Sequence, residues 1–153
     1  MPTFDYTFSV NAPLASVTQF HRDTRMLKKL TPPPIFVQIH TDEPLAEGSR
    51  VEFTLWFGPL PLRWQAVHSD VSEHGFTDTQ VRGPLAFWRH THRFIALAPD
   101  RTQISEHIKY AHKPGLWGWL TRLLFSRPSL YLLFSARKWL TRWHLARQQK
   151  RRR

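Results

Sequence analysis

The sequence predicts an α+β fold in which seven antiparallel strands, forming one sheet, are followed by a long C-terminal helix. Three observations predict it. Stretches of strand length, rich in aromatic and β-branched residues and several of them strictly alternating, occupy most of residues 4–110. After Pro114-Gly115 the pattern changes to apolar residues three and four apart, which is helical spacing. The chain is 153 residues long, enough for one domain with a real core and too short for a second.

The elements follow in order. Phe4 to Val10 sets Phe4, Tyr6, Phe8 and Val10 against Asp5, Thr7 and Ser9, the signature of a half-buried strand. Pro13 fits the first turn of a helix carrying Leu14, Val17 and Phe20 on one side. Asp23 is placed to cap a second short helix with Met26, Leu27 and Leu30, ended by LTPPP. Ile35 to His40, Arg50 to Phe57 and Leu62 to Val71 read as strands two to four, separated by turns at Glu47-Gly48 and Gly58-Pro59. Strands five and six form a hairpin around Gly83-Pro84, and Ala98-Pro99-Asp100-Arg101 turns into a seventh strand, Thr102 to Tyr110. The remainder gives a short helix and a long one, with Ser126 or Ser129 as caps beside Pro128. On the long helix Leu133, Ala136, Leu140 and Trp143 define the stripe expected to press on the sheet. The folded domain is expected over residues 1–146, with 147–153 as a basic tail.

The hairpin GFTDTQVRGPLAFWRHTHRF, Gly75 to Phe94, carries the chemistry. Side chains two apart on a strand share a face, so Phe76, Asp78 and Gln80 line one arm and Trp88, His90, His92 and Phe94 the other. Any register that keeps both sets on one side puts Asp78 opposite His90 or His92. Arg89, Thr91 and Arg93 then face water. The order strand, two short helices, six strands, long helix resembles the helix-grip fold of the START-like, polyketide cyclase/dehydrase (SRPBCC) superfamily, in which a curved sheet wraps the last helix and leaves a cavity. FTDTQVRGPLAFWRHTHRF is similar to the F-x-D-x-Q-x-x-G-P-x-x-x-W-x-H-x-H-x-F pattern of a bacterial branch of that superfamily, and LTPPP and RWQAV match as well. The resemblance implies a cavity for a hydrophobic small molecule between sheet and helix. It leaves the function open, because members include lipid carriers, hormone receptors, quinone-binding proteins and aromatase/cyclases.

If Glu106 pairs near His92, then Asp78, His92 and Glu106 form a polar row over three strands, with Gln80 and His90 beside it. Four readings of the row stand side by side. It is a structural network whose members satisfy one another, or a polar floor that orients a ligand. In the second case Trp64, Phe76, Trp88, Phe94, Tyr110, Leu133 and Leu140 are the apolar walls. As a catalytic site, His90 or His92, tuned by Asp78 or Glu106, would move a proton in cyclase or dehydratase chemistry. As a metal site it would offer two His and a carboxylate, but acids beside the imidazoles already account for them, so no metal and no cofactor is expected. A lipid, isoprenoid, quinone-like or aromatic polyketide-like ligand is the expected partner, and carriage the expected role. His21, His40, His68, His74, His107, His112 and His144 read as solitary.

Charge is uneven: residues 113–153 hold 11 Lys/Arg and no acid, against 11 of each sign before them. There Trp117, Trp119, Leu123 and Phe125 accompany Arg122 and Arg127, and Lys150, Arg151, Arg152 and Arg153 follow, a composition suited to an anionic membrane surface. Trp139 and Trp143 read as core. No base-reading motif is present, so nucleic acid is not the expected partner. No cysteine and no signal-like start point to a reducing, cytoplasmic setting, with this basic segment suited to the inner membrane face.

Overall fold

The computed structural model describes residues 1–153. Its elements are β1 (Thr3–Val10), α1 (Leu14–Arg22), α2 (Met26–Lys29), β2 (Ile35–Asp42), β3 (Arg50–Phe57), β4 (Leu60–Ser72), β5 (Gly75–Arg82), β6 (Phe87–Ala98), β7 (Arg101–Ala111), α3 (Gly115–Leu124) and α4 (Arg127–Arg152). All seven strands lie in one antiparallel sheet of order β1-β7-β6-β5-β4-β3-β2. The two short helices fill the excursion between the edge strands β1 and β2, and α4 lies against the sheet: this is the helix-grip arrangement.

Strand parity places the interior. Phe4, Phe8 and Val10 of β1, Trp88, His90 and Phe94 of β6, and Thr102 to Tyr110 at even numbers on β7 are buried, as period-two alternation requires. Ser126 caps α4 by accepting a hydrogen bond from the Ser129 amide at 3.3 Å, with Pro128 in the first turn. Asp23 opens the α2 turn by accepting from the Arg25 amide at 3.0 Å. The Gly83-Pro84 break is held by α3 and the residues leading into it: Lys113 Nζ donates to the Gly83 carbonyl and Trp117 Nε1 of α3 to that of Pro84, both at 2.8 Å.

The buried apolar residues form two clusters. One joins Phe53, Trp64, Trp88, Tyr110 and Phe125 to Leu130 and Phe134 of α4. The other joins Phe8, Val17, Phe20, Met26, Phe94 and Ile104 to Leu145 of α4.

The stripe of α4, its two tryptophans and Phe125 depart from expectation. The buried positions of α4 are Leu130, Phe134, Thr141 and Leu145, rotated from the expected stripe of Leu133, Ala136, Leu140 and Trp143. Trp139 and Trp143 are exposed. The reason is that the inward face passes through Arg137 and Thr141, polar residues that a search for apolar spacing skips. Residues 147–152 continue α4, so they extend the helix that closes the domain, and Gln149 Nε2 donates to the Asn11 carbonyl at 3.0 Å. Phe125 is buried against Trp64 and Trp88, with ring centroids 5.9 and 5.8 Å away, and takes no part in a surface.

Gly75 sits opposite Arg93 with φ +136°, and a Cβ there would run into the His92 backbone carbonyl. Gly75→Ala should therefore cost about 1–3 kcal/mol, read as a lower urea midpoint; an unchanged midpoint would show that the strands part freely at this corner.

Candidate functional site

The register pairs Asp78 with His90, Phe76 with His92, and His92 with Glu106. Three neighbouring strands thus deliver two carboxylates and two imidazoles to the inner face of the sheet, between the two apolar clusters. Contacts then run diagonally as well as across. His90 Nε2 donates to Glu106 at 2.7 Å, and His92 Nε2 donates to Asp78 at 3.1 Å. His92 Nδ1 is 2.8 Å from the same Glu106 oxygen, off the hydrogen-bond direction and with no aligned acceptor. The two imidazole centroids are 3.9 Å apart, and Phe76 stacks on His92 at 4.2 Å. Arg89 and Arg93 point outward, Arg89 toward Asp70 at 3.5 Å.

Burial disfavours charge on every member, and contacts decide which carry it. Burial would lower His92, but the Glu106 carboxylate and the hydrogen bond to Asp78 outweigh it and hold the imidazole up at about 9. Burial and the neighbouring His92 cation push His90 down. Burial would raise Glu106, yet His92 and His90 hold it well below the usual carboxylate range; Asp78 is likewise lowered by His92 despite its burial. At neutral pH the cluster is two carboxylates, one imidazolium and one neutral imidazole.

A cavity of about 160 Å³ opens onto this cluster. Of the residues expected to form it, Trp64, Phe76, Asp78, Trp88, His90, His92 and Leu133 line it. Gln80, Phe94, Glu106, Tyr110 and Leu140 do not. Gln80 is turned to the hairpin loop, where its amide donates to the Leu85 carbonyl at 2.8 Å and accepts from the Leu85 amide at 3.3 Å. Glu106 lies behind the two histidines, Phe94 and Leu140 belong to the second cluster, and Tyr110 packs beside Trp88 at 6.3 Å. Of the expected surface residues, Trp117, Trp119, Leu123, Arg122, Arg127 and Lys150 to Arg153 are exposed, Trp117 with its indole tied to the Pro84 carbonyl.

The cavity also contains residues that the sequence reading set aside or passed over. His21 of α1 and His68 of β4 are not solitary. His21 Nδ1 donates to the Val17 carbonyl at 2.8 Å, its ring packs 4.7 Å from Phe94, and burial pushes its pKa down to about 4. His68 is buried with Nδ1 2.9 Å from Ser49 Oγ. Arg137, from the middle of α4, completes the wall opposite the sheet. Helical phase alone could have found it, since it lies three residues after Phe134 and four before Thr141.

Asp78, His90 and His92 offer donor atoms within 4.8 Å of one another and could hold a metal ion. Three of their contacts with carboxylates or each other would have to be exchanged for metal bonds. The same contacts suit proton storage and the orientation of a polar group.

No protein-family model and no curated protein sequence matches the chain. Solved structures match it in shape. A START superfamily protein from Mycobacterium smegmatis superposes with a TM-score of 0.72 at 12% identity, covering 95% of this chain and 98% of that one. The Zhui aromatase/cyclase from Streptomyces sp. R1128 gives 0.70 at 17% identity over 99% and 94%. Norcoclaurine synthase from Thalictrum flavum, in complex with dopamine and hydroxybenzaldehyde, gives 0.64 at 16% over 92% and 86%. The chain has the START-like helix-grip fold. At these identities the likeness is one of fold.

His92 is charged up to about pH 9 in the folded chain and only to 6.5 when unperturbed, so its contribution to stability is full below pH 6.5 and is lost as pH rises through 9. The downward-shifted His21, His90, Asp78 and Glu106 lose theirs toward acid. The unfolding free energy from denaturant curves should fall on going from neutral pH to above 9 by on the order of 2 kcal/mol, and His92→Gln should abolish most of that slope. An equal slope in the variant would place His92 outside the charged cluster. Asp78→Ala should cost about 1–3 kcal/mol by leaving His92 without an acceptor, measured in the same way.

Proposed function

We propose that the chain binds a hydrophobic small molecule in this cavity, as a carrier or sensor, with the polar cluster orienting one end of it. The observation that carries the reading is the cavity itself: most of its lining is apolar, with Trp64, Phe53, Leu55 and Phe134 as walls, and its polar side chains are the sheet cluster, His21 and His68, Asp23 and Thr24 at the α1–α2 turn, and Arg137 of α4 facing the sheet. That lining suits a mostly apolar ligand with a single polar group. Size narrows the class. About 160 Å³ is close to the engineered apolar cavity of ~150 Å³ that takes one benzene ring, so a single ring or a short branched chain fits, whereas a long lipid or a fused polycyclic needs the wall to open. Asp23, Thr24, Met26 and Leu27 of the α1–α2 segment and Leu45 of the β2–β3 connection line the cavity without belonging to any strand.

An enzymatic reading has one observation in its favour. Glu106 fixes His90 through Nε2, which leaves the other nitrogen of a neutral imidazole beside the cavity, 3.7 Å from Asp78. Native mass spectrometry of freshly purified protein separates the cases: a stoichiometric, chemically unchanged ligand supports carriage, and its conversion on incubation would support turnover. A protein that copurifies empty and binds no apolar probe would end both.

We also propose an anionic membrane surface as the place of action. Leu132, Trp139 and Trp143 share the outer face of α4 and are exposed, and Lys138, Arg142 and Arg147 stack over the two indoles at 4.7–5.2 Å. No helix is long and apolar enough to cross a membrane. Each basic residue at an anionic surface adds about 1 kcal/mol, weakened by salt. Flotation should show binding to phosphatidylserine vesicles that fades with salt, and a loss of about tenfold or more in Trp139→Ala/Trp143→Ala; equal binding to neutral vesicles, or tighter binding to duplex DNA at physiological salt, would remove the membrane from the account.

A further inference from the structure

Arg137 is the one cation in the cavity wall that has no partner. Its Nε is fully enclosed and makes no hydrogen bond, and none of its nitrogens forms a hydrogen bond or an ion pair within 4 Å. The Phe134 ring lies 5.1 Å from the guanidinium carbon, and Glu106 and Asp78 act on its charge only at a distance. The acids that could have served it are otherwise engaged: Asp78 and Glu106 are held by His92 and His90, and Asp23 is bound to Arg25 at 3.0 Å. An enclosed Nε with no acceptor is costly, whereas the terminal nitrogens of this half-buried side chain are open to an incoming acceptor, and Leu130, Phe134 and Leu145 already anchor the helix without it.

We propose that Arg137 anchors the carboxylate of the cavity's ligand, so that the ligand class is a small acid with one ring or an equivalent branched chain. The inference rests on the reading of the cavity as a small-molecule site. A carboxylate offers two coplanar oxygens that match the guanidinium fork. Its body then lies against Trp64, Phe53 and Leu55, and the cavity volume of about 160 Å³ leaves room for little more than that. The charge also suits an anion at longer range. Asp78, Glu106, His92 and Arg137 together are neutral, so a bound carboxylate adds one negative charge inside a domain whose net charge is +11. Neither His21 nor Arg137 is signalled by strand parity, because both reach the cavity from helices.

The test compares three probes of nearly one shape, benzoate, benzamide and toluene, by calorimetry and ligand-observed NMR on the full chain, with benzoate competing against each of the others. Benzoate should bind about tenfold or more tightly than benzamide and toluene. Arg137→Met, similar in length and apolar, should erase that preference while toluene still binds, and Arg137→Lys should recover only part of it because the fork is gone. Equal affinities for the three probes in the unaltered protein would overturn the carboxylate assignment and leave the small-molecule cavity standing. Failure of every probe would overturn the cavity reading and the assignment with it. The comparison within the unaltered protein decides the matter even if Arg137→Met does not fold.

Discussion

The constraint on which the rest of the structure depends is that four ionisable side chains, Asp78, His90, His92 and Glu106, sit on the inner face of one sheet. Strand parity forces them there together, and a slip of one residue in any of β5, β6 or β7 would exchange them for Thr77, Thr91, Arg93 or Ser105. Removing such groups from water costs several kcal/mol for each charge, so they persist only by serving one another. The result is a band of polarity that separates two apolar clusters. The cavity lies along that band, where side chains are held by directional bonds and cannot simply close up to fill space.

The sheet was legible in the sequence because its rule is short-range. Alternation and composition located the strands to within two residues, except that β6 runs on to Ala98, four residues past the expected end at Phe94, and the even-numbered set of the central hairpin indicated which side chains would meet. What parity could not supply was depth. Gln80 has the parity of Asp78 but lies near the loop, where the Leu85 backbone satisfies it, and Glu106 proved to be a support behind His90 and His92. The helices were harder to read. On α4 the inward face mixes Leu130, Phe134 and Leu145 with Arg137 and Thr141, while the outward face carries Trp139 and Trp143, so hydrophobicity points a helical reader the wrong way round. His21 had no signal beyond its position one residue after Phe20; its role depends on α1 packing across β6.

Fold and function separate cleanly here. Proteins described as a START superfamily member, an aromatase/cyclase and a norcoclaurine synthase share the shape at 12–17% identity, which is what one scaffold hosting unrelated chemistries looks like. The features that bear on this chain's chemistry are local: a charged cluster spread over three strands under a small cavity, and an arginine supplied by the helix that covers it.

That helix has two sides with different audiences. Arg137 and Trp139 are two residues apart on α4, about 200° around its axis, so one looks into the cavity and the other away from the domain. The rod between them is continuous to Arg152 and is fastened to the β1–α1 corner by Arg142 on the Ser9 carbonyl and Gln149 on that of Asn11, each at 3.0 Å. Whatever settles on the outer face and whatever occupies the interior therefore press on the same beam. If either one favours a displaced position of that beam, thermodynamic reciprocity makes each occupant alter the hold on the other by the same factor.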